Sequence, residues 1–195
     1  MKEISSLITT LEKELQPRIG TLCSGTGSEE QTSFNDSELA IIKNRLKQVP
    51  ILFRKDVSEY LVSVMFKLEF QGKITKNDVT KLIDCKYNLQ QFIRDPDIKA
   101  IQIMIETIAS TFSCDVPTEL GLKKYVELLS KYLPDLYPLV TNHLCETFRY
   151  PRLPLPVEFV EYLEPLDIAH KKYYQYVVKI EQMGNRLLEN NRTEE

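Results

Sequence analysis

A chain of 195 residues with 43% hydrophobic and 27% charged side chains carries enough apolar surface for an ordinary core, which excludes a wholly disordered or collagen-like polymer. Its 25 basic and 28 acidic residues leave a net charge of −3, too weak a field to draw in nucleic acid or an anionic membrane by bulk charge. No stretch approaches the roughly 18 uninterrupted apolar residues of a membrane span, and Met1-Lys2-Glu3-Ile4 lacks the apolar core of a secretory leader, so the expected location is the nucleus or cytoplasm.

The first predicted element is a helix over 3–16, where Ile4, Leu7, Ile8, Leu11 and Leu15 make one stripe that Pro17 ends. From 20 to 33 the chain turns to Ser, Thr, Gly and Glu, which bury too little apolar surface to offset the entropy of ordering them. Residues 1–17 are therefore expected to form a detached amphipathic helix and 18–34 a flexible linker, ahead of a helical domain over 35–190 and a frayed tail from about 189, with 191–195 outside the domain. In that domain Asn35 and Glu38 read as a capping box for a helix carrying Leu39, Ile42, Leu46 and Val49, closed by Pro50. A second helix over 54–70 repeats Val57, Tyr60, Leu61, Val64, Met65 and Leu68 at three and four, with Gly72 as its left-handed stop. The two are expected to form a hairpin.

Thr75 with Asp78 opens a third helix through Val79, Leu82, Ile83, Leu89 and Ile93, with a break expected in the polar stretch 86–88. Asp95-Pro96 reads as the start of a fourth, on which Ile98, Ile101, Ile105, Ile108 and Phe112 form a stripe widened by Ile103 and Met104, the most buried helix expected. Thr118 caps a helix with Leu122, Tyr125, Val126 and Leu129, and Pro134-Asp135 turns the chain into one with Leu136, Val140, Leu144 and Phe148. Pro151, Pro154 and Pro156 favour an extended stretch before a short helix over 157–163, and Pro165 is expected to start a separate last helix with Tyr173, Val177, Ile180 and Leu187.

The fold class is all-α, without sustained period-two alternation. The hairpin starts Asn35, Thr75, Thr118 and Pro156 are 40, 43 and 38 residues apart, a period that resembles HEAT and armadillo repeats. Any set of short antiparallel helices gives similar intervals, so the expectation is antiparallel hairpins in either a short HEAT/armadillo-like stack or an irregular bundle.

Residues with chemistry are sparse. His143 and His170 have no Cys, Ser or second His at a ligand or nucleophile-base spacing, and both read as packing or surface residues. Cys23, Cys85, Cys114 and Cys145 are too scattered for a zinc site or a redox pair, and Gly25-Thr26-Gly27 lacks the Lys-Ser/Thr of a phosphate loop. No catalytic group, metal site or cofactor is predicted, and an enzyme is not expected.

Two clusters read as surfaces. Over 148–156, prolines favour the extended backbone that aromatic grooves recognise, flanked by Arg149, Tyr150 and Arg152; the simpler reading is a stiff loop with Leu153 and Leu155 plugged into the core. Over 171–176, Lys171, Lys172, Tyr173, Tyr174 and Tyr176 interleave charge and aromatic rings. On a helix Tyr173 and Val177 face inward and leave Lys172 with Tyr176 as an exposed i, i+4 pair. The expected function is a non-enzymatic scaffold or adaptor subunit that binds one or more proteins through the Ile4, Leu7, Leu11 and Leu15 stripe or these clusters, with nucleic acid through Arg149, Arg152, Lys171 and Lys172 as the alternative.

Overall fold

The structure, a computed structural model, describes residues 34–150 and 152–193, with side chains as far as Asn190. The expected helix over 3–16 and its linker lie outside the described residues, as does Pro151. Among the described residues there are seven α-helices and no strand: α1 (Asp36–Lys47), α2 (Glu59–Gln71), α3 (Lys76–Gln90), α4 (Ile98–Thr111), α5 (Glu119–Leu129), α6 (Tyr137–Thr147) and α7 (Pro156–Thr193). The chain is all-α.

Polar caps set most of the boundaries. Asn35 and Glu38 form the capping box of α1, and Thr75 and Asp78 that of α3. Thr118 caps α5, and Gly72 ends α2 with φ 61°, a left-handed conformation that a Cβ would strain. Two starts differ from the sequence reading. The helix expected over 54–70 begins at Glu59, capped by Ser58, because a 3-10 turn at Ile51–Phe53 first folds the fully buried Phe53 inward. Val57 and Val62 then stand at the two positions of a hydrophobic staple around that cap. Asp97, not Asp95, caps α4, its carboxylate accepting from the Lys99 and Ala100 N–H groups at 2.9 and 3.2 Å, with Pro96 left outside the first turn.

Two expected breaks are absent. Helix α3 runs unbroken through 86–88, because Cys85 and Leu89 stay buried and Lys86 reaches the buried Glu181 of α7 at 3.1 Å. Helix α7 is one helix of 38 residues with Pro165 inside it, rather than a short helix and a separate successor. Pro165 is exposed, and Phe159, Leu163, Val177 and Ile180 continue one buried face past it, so packing outweighs the lost backbone bond. The helix continues to Thr193, past Glu189, where fraying was expected. The stripe of α4 is narrower than expected: Ile98 and Ile103 are more than half exposed, whereas Met104 is buried. Helix α2 carries six buried residues against five on α4 and is the more buried of the two.

These helices enclose two apolar cores. Phe53, α1, α2, α3 and the Val177–Ile180 portion of α7 form the first; α4, α5, α6 and the Phe159–Leu163 portion of α7 form the second. Helix α7, roughly 57 Å long at about 1.5 Å per residue, packs on α2, α3, α5 and α6. A stack in which each hairpin touches only its neighbours lacks such a spine.

Candidate functional site

From Arg152 onward, the proline-rich segment between α6 and α7 is tied to neighbouring elements. Both terminal nitrogens of Arg152 donate to the Glu158 carboxylate at 2.8 Å, a bidentate pair, and the guanidinium lies 5.3 and 5.5 Å from the Phe148 and Tyr150 ring centroids. That hydrogen bonding holds the Glu158 carboxyl below its ordinary value. Glu158 also sits at the third position of α7, where it accepts the Leu155 N–H at 2.5 Å, the reciprocal half of a capping box. From α5, the Tyr125 hydroxyl donates to the Pro154 carbonyl at 2.7 Å.

This scaffold divides the residues singled out in the sequence. Leu153 is half-buried against the second core, whereas Leu155 is 52% exposed, so only the first acts as the expected core plug. Arg149 is exposed and Tyr150 is 62% exposed. Arg152 is engaged within the turn and shapes it. Val157, 55% exposed, joins the presented apolar side chains; sequence reasoning took 157 only as the first residue of a short helix and did not single it out. Glu158, three residues beyond Leu155, was the available signal for the cap.

The lysine-tyrosine cluster of α7 is also divided. Lys171 pairs with Asp167 at 2.8 Å and donates to the Lys131 carbonyl at 3.2 Å, while Lys172 is exposed. Tyr173 packs on Phe53, ring centroids 6.1 Å apart. Tyr176 is half-buried rather than the exposed partner expected for Lys172, because its hydroxyl accepts from Arg45 of α1 at 3.2 Å and lies 3.5 Å from Glu69 of α2. Arg45 and Glu69 pair at 2.7 Å. Beside this junction is a cleft of ≈ 370 Å³, lined by Arg45 and Gln48 from α1, Val62 and Met65 from α2, and Ala169, Lys172, Tyr173 and Tyr176 from α7.

The four cations of the nucleic-acid reading differ in their surroundings. Arg152 and Lys171 are engaged with acidic residues, and Glu158, the partner of Arg152, lies roughly 21 Å along α7 from Lys172. His143 packs on Tyr162, ring centroids 4.6 Å apart. His170 is fully buried, Nδ1 donating to the Leu166 carbonyl at 2.6 Å and Nε2 accepting the Leu52 N–H at 3.2 Å, which places both histidines in packing roles. Among the described residues no group of three His, Cys, Asp or Glu side chains converges as metal ligands do. The Ile4, Leu7, Leu11 and Leu15 stripe lies outside the described residues. No protein-family model, curated protein or solved structure matches this chain.

Proposed function

We propose that the chain is a non-enzymatic protein-protein interaction module, a scaffold or adaptor subunit of a multiprotein complex in the nucleus or cytoplasm. The observation that carries this reading is the turn ahead of α7, which presents Tyr150, Leu155 and Val157 to solvent while Arg152, Glu158 and Tyr125 hold its backbone. A large apolar side chain is worth about 1.5–3 kcal/mol when a partner buries it fully. The bonds that hold the backbone from Arg152 onward reduce the entropy lost there on binding. The Ile4, Leu7, Leu11 and Leu15 stripe is a second contact in the same reading.

The test is quantitative co-purification of the tagged full chain from cells, comparing the triple variant Tyr150→Ala, Leu155→Asp, Val157→Asp with Tyr87→Ala on the exposed side of α3. The turn variant loses specific partners that the control retains, with thermal midpoints alike in the two. Identical partner sets from both chains would overturn the assignment of this surface.

A further inference from the structure

Independently of that turn, the cleft between α1, α2 and α7 gathers hydrogen-bond donors above an apolar floor. We propose that it binds a small organic oxyanion, a phosphate or carboxylate carried on one aromatic ring or short aliphatic body. Val62 and Met65 supply the floor, and no acidic side chain lines the cleft. Glu69, outside the lining, is engaged by Arg45.

Arg45 is fixed before any ligand arrives. Its Nη1 donates to Glu69 at 2.7 Å and to the Tyr176 hydroxyl at 3.2 Å, and its guanidinium carbon lies 5.1 Å from the Phe70 centroid and 5.8 Å from that of Phe66. Both of these bonds use the same nitrogen of a group with five N–H donors. Lys172 adds a second cation from α7, and Gln48 an amide. Arg45 and Lys172 are the charged residues of the lining, and both are cations. The Tyr176 hydroxyl accepts from Arg45 and directs its own hydrogen to Glu69, so it helps to place the guanidinium and leaves Arg45, Lys172 and Gln48 as the donors for a ligand. A volume of ≈ 370 Å³ falls at the lower end of the roughly 300–1,000 Å³ seen for small-ligand sites. One ring with a charged group fits; a helix, about 10–12 Å across, does not.

Amide NMR titration of the full chain with phenyl phosphate tests this, with inorganic phosphate and benzyl alcohol as controls. Saturable shifts are expected at Gln48, Ala169 and Lys172 and not in the 148–156 turn, with affinity at least tenfold above either control. Lys172→Glu, at an exposed position outside both cores, leaves the thermal midpoint unchanged and weakens binding at least tenfold. A phosphotyrosine in a short neutral peptide separates a free ligand from a modified side chain of another protein: binding equal to that of phenyl phosphate assigns the latter, weaker binding the former. Equal affinity for inorganic phosphate, an unsaturated titration, or undiminished binding by Lys172→Glu would each overturn the proposal.

Discussion

His170 lies between the two cores, with Leu52, which packs against both, donating its N–H to Nε2, and the Phe53 ring centroid 5.0 Å from its own. Since the Leu166 carbonyl accepts only, the proton sits on Nδ1 and the ring is neutral. Burial pulls its pKa below 6.5, helped by Arg54 and opposed by the Leu166 bond and by Asp167. The folded protein therefore binds fewer protons here than the unfolded chain. The stabilisation is complete above about pH 6.5 and declines as pH falls from there through the folded-state value. Urea midpoints measured from pH 7.5 to 5.0 should fall more steeply in the wild type than in His170→Gln, whose amide keeps one acceptor and one donor. Parallel curves would separate His170 from the acid response. Sequence left His170 between a packing and a surface role, and its two backbone partners, at 52 and 166, are joined only by the fold.

Among the elements, caps were the most legible features, since Asn35, Thr75, Thr118 and Gly72 act through residues within one turn of themselves. Misreadings arose where a distant contact overrode a local rule. The polar 86–88 stretch stays helical through Lys86 and Glu181, far apart in sequence, and Pro165 is carried by packing on either side of it. The candidate surfaces follow the same division. Tyr150 and Leu155 stood out through their prolines, whereas the cleft joins Arg45 to Tyr176 across 131 positions, and no local pattern in α1 marks that arginine. Because α7 tolerates Pro165 at the expense of a backbone bond, Pro165→Ala should stabilise the protein by roughly 1–3 kcal/mol, less than the full helix-interior difference since alanine also frees the unfolded chain. Denaturant unfolding measures this. A destabilised variant would mean that the ring itself is required at that point.

For the whole molecule, α7 supplies buried side chains to both cores and Leu52 and Ile93 pack against each, so neither core is complete without an element of the other's boundary. Leu82→Ala in the first core and Leu129→Ala in the second should each cost about 2–5 kcal/mol. Both should shift one shared unfolding transition, seen alike by far-ultraviolet and tyrosine near-ultraviolet dichroism. Two transitions, each moved by only one of the substitutions, would show that the halves unfold independently.

The position of this spine after every helix it joins also bears on biosynthesis. Once α1 has been made, roughly 109 residues remain to be added before Pro156, about 5–22 s at ordinary elongation rates. The faces of α2, α3, α5 and α6 that α7 covers each stay open from their own synthesis until α7 follows, longest for α2 and α3, and a chaperone that shields apolar surface has its longest opportunity there.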